Sequence, residues 1–145
     1  MIAVDTNLLV YAHRPEMPFH QRARDVIAGA LEGAEPLSVP WPCVHEFLAV
    51  VSNPRVFKDP TPMDVALDAV ERLLDSLDGV FLAEGEGYLH TLERIARPAF
   101  LQGAVVHDAR IAALCLYHGV RVLWSADRDF SRFPDLQVVN PLPAG

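Results

Sequence analysis

Apolar residues along this chain form two patterns: short continuous runs and longer stretches at helical spacing. Ile2-Ala3-Val4 is the first short run, and it ends abruptly in Asp5, Thr6 and Asn7. It predicts a strand buried on both faces that delivers a carboxylate at its C-terminal end. Leu8 to Ala12 predicts a short helix, stopped by Arg14-Pro15. Pro18 opens a longer helix in which Ala23, Val26, Ile27, Ala30 and Leu31 recur on one face, and Gly33 ends it. Pro36 to Pro40 is short, extended and bracketed by proline, which fits a small strand.

A mostly apolar helix follows from about Pro42 to Ser52, closed by Asn53-Pro54. Thr61-Pro62 then starts another, with Thr as cap and Pro at the first helical position. Its apolar face is expected to run Val65, Leu67, Ala69, Val70, Leu73, Leu74 and Leu77. Gly79 to Leu82 predicts a second small strand. Glu86 to Arg97 predicts a helix with Leu89, Leu92 and Ile95 facing inward, stopped by Pro98. His107 to His118 predicts the last helix, with Gly119 in the usual C-terminal place. Val120 to Trp124 and Leu136 to Val139 predict two further strands.

Strands alternating with helices indicate the α/β class: a central parallel sheet of about four to five strands, covered by helices on both faces. Right-handed crossovers fix the hand of such a sheet but leave its strand order open. No internal repeat, low-complexity segment or linker interrupts the 145 residues, so one domain is expected over 1–145. With 51% apolar and 21% charged residues the chain is globular rather than disordered.

No apolar stretch approaches the ~18 residues of a membrane span. The N-terminus lacks the basic segment and apolar run of a secretory signal, so a cytoplasmic location is expected, with no membrane partner. Cys43 and Cys115 are the only cysteines and both sit in apolar runs, which predicts buried free thiols rather than a zinc site. The net charge of −7 argues against a broad basic nucleic-acid clamp. It leaves room for a small site in which a metal ion offsets phosphate charge. Arg makes up 11 of the 12 basic residues. Its fork suits phosphate contacts, although a coding bias toward Arg gives the same count.

Four carboxylates stand out by position. Asp5 follows the first strand, and Asp127 follows the Val120–Trp124 strand in the same way. The carboxyl ends of strands are where open α/β sheets place their ligands. Asp108 lies in the first turn of its helix, with Ile111, Ala112 and Cys115 three, four and seven residues on. That spacing sets it on the buried stripe. Glu46 interrupts the apolar run Cys43–Val51, where a charge is costly without a partner.

Each also has a plainer reading. Asp5 and Asp108 could cap helices, Asp127 could be a turn residue, and Glu46 could share a narrow solvent face with His45. Jointly, two carboxylates at strand ends and two on flanking helices can reach one rim of the sheet. Like charges ~5 Å apart at an effective dielectric of ~20 repel by about 3 kcal/mol, so such a cluster holds protons or binds a cation. Oxygen ligands favour Mg²⁺ or Mn²⁺, which can activate water and neutralise a phosphodiester. Ser125, Thr6 and Asn7 are placed to orient waters or carboxylates.

At these residues the sequence resembles the PIN-domain ribonucleases, and among them the VapC-type toxins of toxin–antitoxin pairs. The matching segments are Val4-Asp5-Thr6-Asn7, His45-Glu46-Phe47, Asp108 to Leu114, and Ser125-Ala126-Asp127-Arg128-Asp129-Phe130. They span nearly the whole chain in the family's order. The resemblance implies a three-layer α/β/α fold and metal-dependent endonucleolytic cleavage of RNA. It makes Asp5, Glu46, Asp108 and Asp127 the catalytic, metal-binding acids around Mg²⁺ or Mn²⁺, with Thr6, Asn7 and Ser125 in support. Asp129 resembles the family's optional fifth acid, and Ser125 keeps the hydroxyl that the family carries there. A homodimer is implied, as is a cognate antitoxin whose tail would fill the active-site groove.

Two alternatives differ in residues or in outcome. A haloacid-dehalogenase-like phosphatase would use Asp5 as nucleophile, but it wants a second Asp where Asn7 stands and a nearby lysine, and the only one is Lys58. A non-catalytic RNA-binding protein of the same fold would be marked by loss of acids, and all four are present. His45-Glu46 lacks the second His of a zinc-protease helix, and Ser125 lacks a G-x-S-x-G elbow. Trp41, beside the Glu46 helix, is either a core tryptophan or a partner-groove aromatic.

Overall fold

The computed structural model describes residues 1–77 and 80–143. Its five strands are β1 (Ile2–Val4), β2 (Leu37–Pro40), β3 (Phe81–Leu82), β4 (Val122–Trp124) and β5 (Val138–Val139). The helices are α1 (Thr6–His13), α2 (His20–Glu32), α3 (Trp41–Val51), α4 (Met63–Ser76), α5 (Tyr88–Ala99) and α6 (Val105–Tyr117). A 3-10 turn over Arg128–Arg132 links β4 to β5. All strand pairs are parallel, in the order β3-β2-β1-β4-β5. This is a three-layer α/β/α sandwich.

The order has a functional consequence. From β1 the chain steps outward to β2 and β3 through α1 to α4, then returns through α5 and α6 to β4 on the other side of β1. Right-handed crossovers place these two helix sets on opposite faces. Consistent with that, α1 packs on α2 and α3, α3 on α4, and α5 on α6. The direction reverses between β1 and β4, and a crevice opens at the carboxyl ends of those two strands.

β1 is central, and Ala3 and Val4 are fully buried, as its unbroken apolar run requires. Its helix begins two residues earlier than the apolar periodicity predicts, at Thr6, because the Asp5 carboxylate accepts from the Thr6 amide and caps it. α6 ends as its sequence predicts. Gly119 adopts φ +69 and donates to Leu116, while Val120 donates to Cys115, a Schellman arrangement that satisfies the last carbonyls.

Several expectations are corrected. Leu31, Val65, Leu67 and Leu89 are exposed rather than inward. The packed face of α4 is instead Ala66, Ala69, Val70 and Leu73, continuing to Leu77 beyond its end, and that of α5 is Tyr88, Leu92, Ile95 and Ala99. An apolar side chain does not by itself mark the inner face; the stripe does. Pro98 lies within α5, whose last residue is Ala99, because proline keeps a helical φ and costs a single backbone bond in a last turn. β4 starts at Val122 and β5 at Val138, later than predicted. Gly79, the expected start of β3, lies outside the described residues.

Thr61 does not cap α4. Its hydroxyl instead accepts from Arg14 Nη1 at 3.0 Å and lies 3.2 Å from His13 Nε2. Arg14 is buried and also donates to the Asp59 carbonyl at 2.7 Å while lying over the Phe57 ring. A buried guanidinium needs acceptors, and it recruits the hydroxyl that the helix would have used. Trp41 is half-buried and packs edge-on against Phe81, with ring centroids 4.7 Å apart. Both cysteines are buried and free. Among the described residues no helix is long and apolar enough to cross a membrane.

Leu123 is fully buried in β4, between β1 and β5. Leu123→Ala should lower stability by about 3 kcal/mol, through lost burial and a residual cavity. Urea denaturation at constant m checks this.

Candidate active site

Asp5 stands one residue past β1, and its amide extends the ladder by donating to the Trp124 carbonyl at 2.9 Å. Its side chain is only 5% exposed, and both oxygens are engaged. Oδ1 accepts from the Thr6 amide at 2.8 Å and from the Cys43 thiol at 3.5 Å, and Oδ2 accepts from Ser125 Oγ at 2.6 Å. Burial raises the Asp5 pKa; the bonds from Ser125, Thr6 and Cys43 draw it back, and the charge of Glu46 pushes it up again. Burial also holds the Cys43 thiol well above its usual range, so it stays a donor.

Ser125 uses its whole hydrogen-bonding capacity. Its hydroxyl donates to Asp5 and accepts from the Asp127 amide at 3.0 Å and from Asn7 Nδ2 at 3.4 Å. Asn7 Oδ1 in turn accepts from the Ala126 amide at 3.3 Å. The segment after β4 is thereby tied to the segment after β1. Thr6 Oγ1 donates to Glu46 Oε2 at 2.6 Å, which anchors the tip of a side chain arriving from α3.

Asp127 caps the 3-10 turn by accepting from the Asp129 amide at 2.8 Å. One carboxylate oxygen from each of Asp108, Asp127 and Asp129 lies within 4.8 Å of the others. Asp108 lies four positions beyond the Ala104 cap of α6, so it does not cap that helix. Its pKa is pushed up to about 6, first by lost hydration and then by the charges of Asp127, Asp129, Asp5 and Glu46. Asp5, Glu46, Asp108 and Asp127 line a single groove of about 260 Å³, with Thr6, Asn7 and Tyr11. The donors are all oxygens, the set a hard divalent cation takes.

A sequence model of the PIN domain matches residues 2–136 of the chain. The chain belongs to the PIN-domain family. Ribonuclease VapC43 of Mycobacterium tuberculosis is 36% identical over 142 residues, covering 98% of this chain and 96% of the relative. Ribonuclease VapC48 of the same species is 30% identical over 137 residues, with 94% of each chain covered. Among solved structures, VapBC2 from Rickettsia felis, bound to a DNA fragment from its promoter, superposes with a TM-score of 0.68. That match has 16% identity and covers 97% of this chain and 98% of the other.

Within this PIN-domain frame the expected acids divide. Asp108 and Asp127 meet in the tight oxygen cluster, and Asp129 joins them although the sequence left its role open. Asp5 and Glu46 line the same groove outside that cluster. Glu46 is exposed, so it is not a buried charge: α3 turns His45 and Glu46 together toward solvent and its apolar residues inward. The plainer readings of Asp5 and Asp127 hold as well, since each caps the element that follows it. The Cys43 bond to Asp5 and the place of Tyr11 on the groove wall had no sequence signal, because both depend on helices docking on the sheet.

The raised pKa of Asp108 has a signed consequence. The folded chain binds this proton more tightly than the unfolded one, whose value is 3.8, so stability falls as pH rises from there through about 6. Asp5 shifts in the same direction. In chelator-treated protein, the Tm of the wild type should fall more steeply between about pH 4.5 and pH 7 than that of Asp108→Asn, by the same linkage. Parallel profiles would contradict the raised pKa of Asp108.

Proposed function

We propose that this protein is a Mg²⁺- or Mn²⁺-dependent endoribonuclease, the toxin of a toxin–antitoxin pair, acting as one PIN domain over the whole chain. The observation that carries the reading is the meeting of Asp108, Asp127 and Asp129 in a groove also lined by Asp5 and Glu46. Full-length similarity to curated VapC ribonucleases supports RNA as the substrate.

Asp108 and Asp127, joined by Asp5, Glu46 and Asp129, are the residues that would hold the ion. A bound divalent ion offsets phosphate charge and acidifies water. The chain's own part is positional. Ser125 holds the Asp5 carboxylate and the Asp127 amide in one network, and Asn7 locks that network to the backbone after β4. Thr6 fixes one oxygen of Glu46. The three donors on its carboxylate draw the Asp5 pKa back toward its usual range, although burial still leaves it raised.

The VapBC2 assembly from Rickettsia felis supports an antitoxin partner for this chain. We also propose a homodimer working in the cytoplasm. The phosphatase alternative finds no support at the groove. Lys58 is exposed in the loop after α3 and does not line it, and Asn7 is committed to Ser125 and Ala126.

Purified protein should cleave RNA in Mg²⁺ or Mn²⁺ and stop on chelation. Asp108→Asn should lower the rate by about a hundredfold or more, a loss of about 2.7 kcal/mol in transition-state stabilisation, without loss of Tm. Undiminished cleavage by the variant would sink the assignment, and tight RNA binding without cleavage by the wild type would favour a binding-only protein.

A further inference from the structure

Beside the acidic groove lies a second hollow, between the 3-10 turn and β5, of about 620 Å³. Its volume falls in the ~300–1,000 Å³ range of small-ligand sites. We propose that it is a subsite for one unpaired nucleotide of the RNA, next to the scissile phosphate, with Arg128 and Asn140 as its polar contacts. This rests on the ribonuclease reading and adds to it a determinant of base preference.

Three observations point there. First, Asp127 lines both the hollow and the acidic groove, so occupants of the two would be neighbours along one chain. Second, the composition suits a base. Half-buried Ala126 and Val138 and exposed Pro134 offer an apolar surface backed by the buried Phe133 and Leu136, while Arg128 and Asn140 stand exposed at the rim. An apolar surface takes the flat face of a base, and a few polar groups read its edge.

Third, the rim groups are available. Among the described residues no carboxylate pairs with Arg128, although its sequence neighbours are Asp127 and Asp129. In a chain of net charge −7, a cation left unpaired beside an acidic cluster is suited to hold an adjoining phosphate. Asn140 Oδ1 accepts from the Leu142 amide at 3.1 Å. That bond orients the side chain and leaves its NH₂ to donate to a base edge.

The test compares the wild type with Arg128→Ala, Asn140→Ala and the pocket-filling Val138→Phe on a short RNA pool randomised at every position. Cleavage in Mg²⁺ is mapped by sequencing the products, and binding of the same labelled pool is measured in an Asp108→Asn background. The wild type should prefer particular bases at one position beside the cut. Asn140→Ala and Val138→Phe should erase that preference and leave the other positions unchanged. Arg128→Ala should raise KM about tenfold while kcat changes less than about twofold, as for lost uniform binding.

Equal use of all bases beside the cut by the wild type, or preference and KM unchanged in the variants, overturns the subsite. If Val138→Phe fails to fold, the two exposed rim positions decide alone. Cleavage by the wild type with indifferent variants removes the subsite and keeps the nuclease. No cleavage, but binding weakened about tenfold by both rim substitutions, removes the nuclease and keeps the subsite. Absence of both cleavage and binding removes both.

Discussion

The hydrogen bond from Ser125 to Asp5 joins the two sides of this molecule. It crosses the point where the sheet reverses direction, between the residue after β1 and the residue after β4. A carboxylate only 5% exposed could not sit there as a charge without donors, and it has three: the Thr6 amide, the Cys43 thiol and the Ser125 hydroxyl. Those donors come from α1, from α3 and from the loop beyond β4. Seating one side chain therefore seats three elements, and the groove takes its shape from where they meet.

The same economy recurs in the remaining acids. Asp5 and Asp127 each cap the element that follows and also line the groove, so local folding and site assembly use the same side chains. The opposing term is repulsion. Asp108 has lost water and feels four other carboxylates besides, and its pKa of about 6 expresses both. The surrounding core, with Ile111, Ala112 and Leu123 essentially closed to solvent, supplies the stability that lets the cluster persist. On the proposed reading such a site gives up folding stability so as to hold a cation, a common balance where function needs like charges together.

Legibility followed the range of the interaction responsible. The strands and helices were readable because each obeys a local rule: an unbroken apolar run, a periodic stripe, or a glycine that turns left-handed as Gly119 does. Asp5 and Asp127 were readable for the same reason, as acids at the ends of strands. Errors arose where a distant partner outbid a local preference. Thr61 left its helix to serve the buried Arg14, and Val65 and Leu67 faced water because the neighbouring helices met Ala66 and Ala69 instead. Glu46 looked buried from its apolar neighbours, yet a helix packed on one face leaves its other side to solvent.

By itself the sequence determined the class of fold, the family and which acids follow strands or ride on flanking helices, because those rest on residue type and spacing along the chain. The three-dimensional packing decided which acids touch. It gathered Asp108, Asp127 and Asp129 within one oxygen cluster and left Asp5 and Glu46 on the groove wall, held by Ser125 and Thr6. It also opened the hollow beside β5, with Arg128 and Asn140 at its rim. The reason is physical: distances between groups over a hundred residues apart depend on strand order and helix docking, which no local pattern specifies.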